Sequence, residues 1–279
     1  MLNLINVKKK TILIALCLLV LGITSFTPPK PAAAKEQFIE IYTKYGKITV
    51  KLYNETPKHR DNFIKLVKEG FYDSLLFHRV IPTFMIQAGD PKSKYAVAGD
   101  ALGEGELPYS IPAEFNKKLY HKRGALAAAR TDNPEKASSA NQFYIVQGRT
   151  FTIDELIAYE NSINYTAKRK LFGEMMQSDS MKAKLNDYTL RGDKEGLHAY
   201  MLSMQDVIDK LYAPQEFKFS ANQVIDYLQF GGAPHLDENY TVFGEVVSGL
   251  NVVDVIAGLK SDTIDRPFVD VRIKMKLLK

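Results

Sequence analysis

The sequence predicts a mainly β protein, a closed antiparallel barrel capped by two helices and interrupted by an inserted α-helical module. Three observations predict it. Many short runs alternate apolar and polar residues with the period of two that a half-buried strand requires. Only two short amphipathic helices accompany those runs, and one stretch alone, residues 150–232, switches to helical period.

The first residues are set aside before the fold is read. Lys8, Lys9 and Lys10 give a positive start, and "TILIALCLLVLGI" at 11–23 is an apolar run too short to span a bilayer comfortably. Ala32-Ala33-Ala34 supplies the small residues a signal peptidase takes. Residues 1–34 are therefore expected to be a signal peptide cleaved after Ala34. The only cysteine, Cys17, lies inside the apolar run and follows Leu16, where lipidation needs a small residue. The remaining chain thus has neither disulfide nor thiol chemistry. The net charge of +5 is also a property of this segment: without it 33 basic residues face 32 acidic ones. That balance excludes a basic surface for nucleic acid or for an anionic membrane.

The elements follow in order. "FIEIYTKYGKITVKLY" alternates on both sides of Tyr45-Gly46 and reads as a β-hairpin with one buried face. In "ETPKHRDNFIKLVKEG", Thr56 is placed as N-cap, Pro57 at the first helical position and Gly70 as the stop, with Phe63, Leu66 and Val67 on the buried stripe. "FYDSLLFHRVIPTFMIQAGDP" reads as strand, turn, strand. Gly103-x-Gly105 lacks the third glycine of a dinucleotide loop and follows no clear strand, so no phosphate site is expected there. "RGALAAAR" and "NQFYIV" read as buried strands joined by a polar loop. "YTVFGEVV" is a further strand and "SGLNVVDVIAGL" a helix with Leu250, Val253, Val255 and Ile256 facing inward. "PFVDVRIKMKLL" is a closing strand alternating at Val269, Val271, Ile273 and Met275.

Within residues 150–232, Thr152-x-x-Glu155 is a capping box. Leu197, Tyr200, Met201, Met204, Ile208 and Leu211 form one helical stripe ended by Pro214, read as core of the module. Ser220-x-x-Gln223 opens a last helix that Gly231-Gly232 closes.

"FHRVIPTFMIQAGDP", residues 77–91, raises the functional question, because it sets Arg79 in a run that otherwise resembles core. Together with "IPAEF", "HKRGALAAAR", "NQFYIV" and "LDENYTVFGEVVSGLNVVDVI" it resembles the signature of the cyclophilin family of peptidyl-prolyl cis–trans isomerases, in particular bacterial members that carry an insert. The resemblance covers most of residues 38–146 and 234–279. It implies an eight-stranded closed antiparallel barrel with a helix at each end, and a mature domain of 35–279 interrupted at about 150–232. It further implies Arg79 as the catalytic residue. Phe84, Met85, Tyr144, Leu236 and Tyr240 would receive proline, Gln87, Ala129, Arg130 and Gln142 would hold the peptide backbone, and His235 would stand at the groove where many relatives carry tryptophan. The expected partners are proline-containing, unfolded or flexible polypeptides, the expected location is the periplasm, and a monomer is expected.

Such a reaction explains the residue types. Rotation about an X–Pro bond breaks no bond, so no nucleophile, metal or cofactor is called for. An arginine, permanently charged and unable to act as a base, suits the twisted amide, whose nitrogen regains a lone pair. His78 is expected to be structural, since no proton moves, and Phe143 to belong to the core. His59, His78, His121, His198 and His235 show no metal spacing. Against the family pattern, His235 replaces tryptophan, Tyr240 histidine, Arg130 asparagine and Tyr144 phenylalanine. Weak cyclosporin binding is expected from the first change. The rival expectation is a proline-binding chaperone with slight isomerase activity that uses the insert to hold clients.

Overall fold

A computed structural model describes residues 35–278, which include every element below; the expected signal peptide and Cys17 lie outside the described residues. The first hairpin pairs β1 (Gln37–Thr43) with β2 (Gly46–Leu52), so that Ile39 faces Val50 and Ile41 faces Ile48, all fully buried. Its turn needs Gly46: φ is +132°, and a Cβ there would stand 2.9 Å from Val252 Cγ2.

Helix α1 (Pro57–Lys68) buries Phe63, Leu66 and Val67 as expected, and stops in a Schellman arrangement at Gly70, φ +67°. Its start differs from expectation. The Thr56 hydroxyl makes no capping bond; Glu114, brought from 56 residues downstream, accepts from the Lys58 and His59 N–H groups instead, 3.0 Å each. The same carboxylate accepts from His59 Nδ1 at 2.7 Å. Burial alone would raise the Glu114 carboxyl, but the bonds from His59 and Lys58 outweigh it and hold it below the usual range.

The remaining strands are β3 (Phe77–Ile81), β4 (Met85–Ala88), β5 (Ser110–Ile111), β6 (Ala125–Ala128), β7 (Ser138–Ser139), β8 (Phe143–Val146), β9 (Val242–Ser248) and β10 (Lys274–Leu277). Eight of the ten described strands form one antiparallel sheet in the order β10-β1-β2-β9-β6-β8-β4-β3, while β5 pairs with β7. The sheet curls but is open, which corrects the expected closed barrel. Its outer strands β10 and β3 share no ladder. They are linked through the residues just before them and the first residue of β3: Ser74 and Phe77 donate to Ile273 and Val271, and Ile273 donates to Leu75, at 2.8–3.0 Å. The closing strand is accordingly shorter than the alternation suggested; Val271, Ile273 and Met275 are buried, but Val269 is exposed. In the helix that follows β9, α6 (Leu250–Ala257), the buried face is Val252, Val253, Ile256 and Ala257, and Val255 is exposed rather than inward.

The helical stretch contains α2 (Ile153–Met176), α3 (Asp179–Leu190), α4 (Lys194–Tyr212) and α5 (Ala221–Gln229). Both capping boxes form, Thr152 with Glu155 and Ser220 with Gln223. On α4 the buried residues are Ile208 and Tyr212; Leu211 is exposed, one position off the expected stripe, because Tyr212 takes the inward place and bonds Asn164 of α2. Among the described residues no helix is long and apolar enough to cross a membrane.

Glu114 therefore carries a test. Glu114→Ala removes the cap of α1 and leaves buried His59 without its acid, and should cost about 2–3 kcal/mol in urea unfolding. Thr56→Ala, with no cap to lose, should cost well under half of that.

Candidate active site

Strand alternation places two apolar clusters on the two faces of one sheet. Phe77, Val80, Ile86, Ala88, Leu126, Ala128, Phe143 and Ile145 point inward into the main core, where Phe143 meets Phe63 and Tyr72 edge-on, as expected of it. Their neighbours Met85, Ala125, Ala127, Tyr144 and Val146 point outward and join Phe84, Leu236, Tyr240 and Val242 in a second cluster. The register lines up one row across four strands: Arg79 opposite Gln87, Gln87 opposite Tyr144, and Tyr144 opposite Ala127. Ala125 and Ala127 are covered in this cluster, and beside them the outer face is hollow.

The hollow is a cavity of about 220 Å³ lined by Arg79, Phe84, Met85, Gln87, Ala129, Arg130, Tyr144, Leu236 and Tyr240. Every expected site residue except Gln142 and His235 lines it. Gln142 lies just behind, buried, and accepts from Gln87 Nε2 at 2.9 Å; its own amide is fixed by the Gly103 and Gly105 carbonyls and Glu106 at 2.8–3.1 Å. His235 is exposed at the rim and tilts against Phe84, ring centroids 5.2 Å apart.

Arg79 stands on β3 at the cavity edge, 43% exposed, with Nε donating to Asp265 Oδ2 at 3.2 Å. Asp265 comes from a turn held by Asp262, whose side chain accepts from the Ile264 and Arg266 N–H groups. There Asp265 takes φ +64° and its carbonyl accepts from Val80. Pairing at Nε leaves the two terminal guanidinium nitrogens as the donors toward the hollow. Arg130 is otherwise occupied: it lies 4.9 Å from the Tyr240 ring centroid, donates to the Asn239 carbonyl at 2.9 Å and pairs with Asp132.

Beneath Tyr144 lies a polar group in which His121, which shows no metal spacing, meets Asp237. The Tyr144 hydroxyl is 2.9 Å from His121 Nε2, and His121 Nδ1 is 2.9 Å from Asp237 Oδ1, all three side chains nearly fully buried. A carboxylate only accepts, so Nδ1 carries a proton, and Nε2 shares the second hydrogen bond with the Tyr144 hydroxyl. The signal for such a partner is Tyr144 itself, since a buried tyrosine hydroxyl needs one. Asp265 left no comparable signal, being 186 residues from Arg79.

The model of the family described as cyclophilin type peptidyl-prolyl cis-trans isomerase/CLD matches residues 38–206 and 198–276. The chain belongs to this family. The cyclophilin is 30% identical over 239 residues to a protein of Streptococcus pyogenes named as a bifunctional phosphatase/peptidyl-prolyl cis-trans isomerase, a match covering 85% of this chain. It spans 37% of that relative's length. It is 28% identical over 237 residues to a protein of Staphylococcus aureus named as a peptidyl-prolyl cis-trans isomerase, covering 85% of this chain and 88% of the relative. A crystal structure of a Cryptosporidium parvum cyclophilin type peptidyl-prolyl cis-trans isomerase shares the fold, with TM-score 0.51 and 18% identity over 88% of this chain and 99% of that one.

His78, beside Arg79 in sequence, points the other way. It is buried, neither ring nitrogen has a hydrogen-bond partner among the described residues, and burial pushes its imidazole down to about 4, against the opposing pull of Asp90. The folded state thus disfavours the charged ring, while the unfolded chain takes up a proton near pH 6.5. Stability is full above pH 6.5 and is lost as pH falls toward 4, by roughly 3 kcal/mol for this residue. His59, also lowered chiefly by burial, adds in the same direction. Urea midpoints measured between pH 7 and pH 4 should show this loss, and His78→Gln should remove the larger part of it.

Proposed function

We propose that this cyclophilin catalyses rotation about X–Pro peptide bonds with Arg79 as its catalytic residue and the outer hollow as the seat of the proline ring. The observation that carries the reading is the placement of one arginine, held from behind by Asp265, at the edge of an apolar hollow large enough for one small ring. The barrier to rotation is about 18–20 kcal/mol of amide resonance. At the twisted midpoint the prolyl nitrogen recovers its lone pair, and a donor fixed beside it stabilises that state more than either planar isomer. One charge-assisted hydrogen bond is worth about 1.5–3 kcal/mol. Bringing exchange from ~100 s to ~1 ms requires roughly 7 kcal/mol. The rest falls to the hollow, where Phe84, Met85, Leu236 and Tyr240 grip the ring in a desolvated setting while the acyl side turns. Gln87, oriented by Gln142, and the Ala129–Arg130 backbone supply polar contacts along the rim.

The substrates of this reading are proline-containing segments of unfolded or flexible polypeptides, met outside the cytoplasm. The basic and apolar pattern of residues 1–34 supports export and the periplasm. A second reading, in which the helical insert also holds clients, is favoured by its exposed Leu190, Leu202, Leu211 and Phe230.

Turnover of a proline-containing tetrapeptide tests the first reading. Arg79→Ala should lower kcat/KM about ten- to hundredfold, the worth of one charge-assisted bond, with the melting temperature nearly unchanged because its ion pair is exposed. Asp265→Ala should give a smaller loss. Equal turnover by Arg79→Ala would overturn the assignment. Cyclosporin should bind weakly where His235 stands, and a titration giving sub-micromolar affinity would contradict that expectation.

A further inference from the structure

The hydrogen bonds behind Tyr144 do not end in the sheet. Asp237 follows the short 3₁₀ turn Pro234–Leu236, and Leu236 is a wall of the hollow. Its side chain is only 5% exposed. A carboxylate in such a place needs donors at both oxygens. Oδ1 accepts from the backbone N–H and Nδ1 of His121, 2.9 Å each. Oδ2 accepts from the Tyr227 hydroxyl at 2.6 Å and Gln223 Nε2 at 3.2 Å. Two of the four donors thus belong to the sheet's own loops, and two to α5, the last helix of the insert. Burial holds the Tyr144 and Tyr227 hydroxyls far above their usual range, so both remain donors.

The root of the insert is fixed just as closely. A Cβ at Gly232 would stand 2.3 Å from the His121 carbonyl and 2.5 Å from the Tyr227 ring, and Gly232 and Ala233 donate to Arg149 and His121. The helix therefore cannot shift without moving His121.

We propose that Tyr227 and Gln223 are positioning residues for the proline pocket, acting through Asp237 and His121 to fix the Tyr144 ring and the Leu236 turn. The proposal rests on reading the hollow as the seat of proline. It gives a reason for a tyrosine at position 144, since a phenylalanine there would end the chain of bonds at His121. It also makes the insert part of the pocket's support, whatever clients its outer surface holds.

The experiment is a double-mutant cycle read by titrating a proline-containing tetrapeptide, with turnover and melting temperature measured on the same samples. Tyr227→Phe should raise the tetrapeptide Kd roughly three- to tenfold, the lower part of the range for residues sharing one hydrogen-bond network, and should add little in a Tyr144→Phe background. Asp226→Ala, on the same helix, removes the acceptor of the Tyr120 hydroxyl but does not touch Asp237, and should lower the melting temperature and leave Kd at the wild-type value. Three results would each overturn the proposal: an unchanged Kd in Tyr227→Phe, the same rise in both backgrounds, or an equal rise from Asp226→Ala. Should Tyr227→Phe not fold, Gln223→Met removes the weaker donor and is judged by the same criteria. Wild-type protein that binds the peptide without turning it over would sink the isomerase reading alone, because the coupling is still read from Kd. Wild-type protein that binds no proline peptide overturns both.

Discussion

The period of two along four strands is the constraint from which the rest follows. In β3, β4, β8 and β6 nearly every residue is apolar or small, yet successive side chains must leave on opposite faces. A sheet so built has two greasy surfaces and only one interior. The inner surface fills with Phe143, Ile145, Val80 and Ile86. The outer one, built on Ala125 and Ala127, is too shallow to be a core and too apolar to be an ordinary surface. Loops from the distant 233–240 segment roof part of it and leave a hollow for a ring. A one-residue slip of β4 against β8 would exchange Met85 and Gln87 for Ile86 and Ala88, and no site would remain.

Charge is distributed around that hollow by the same economy of positions. Arg79 meets Gln87 across the strand pair and is restrained from outside by Asp265, so its position is fixed although it is partly in water. Arg130, a second cation on the same rim, is spent on Tyr240, the Asn239 carbonyl and Asp132. The pair of arginines is thus divided into one that is partly exposed at the cavity edge and one that builds the wall. Nothing at the rim needs a proton to move, which agrees with His78 being turned inward, uncharged and without a partner among the described residues.

Much of this was legible in the sequence because it was local. Alternation at 38–52, the capping boxes at Thr152 and Ser220, and the motif run at 77–91 each depend on a few neighbouring residues, and the structure places them as read. What failed depended on partners far along the chain. Thr56 has the right chemistry for a cap, but Glu114 offers a charged acceptor to the same N–H groups and wins. Period alone puts Val255 and Leu211 on buried faces, but both are exposed, while Val252, three positions before the one, and Tyr212, next to the other, are buried. The sheet's closure was inherited from a family pattern, and only the bonds between residues 74–77 and 271–273 show how far it goes. Asp265 and Asp237 were invisible for the same reason, since an aspartate in a polar turn announces nothing about the cation or imidazole it will meet.

Those few bonds between the outer strands have a consequence for motion as well as for shape. The turn that presents Asp265 to Arg79 lies a few residues before the segment that joins the sheet's outer strands, and is bonded to the same strand, β3, through Val80. With no continuous ladder, this seam is the cheapest place for the sheet to breathe. A parting that reached the Val80-to-Asp265 bond would also loosen the tether on the Arg79 guanidinium, so fraying at the seam and slack at the rim of the hollow would come together.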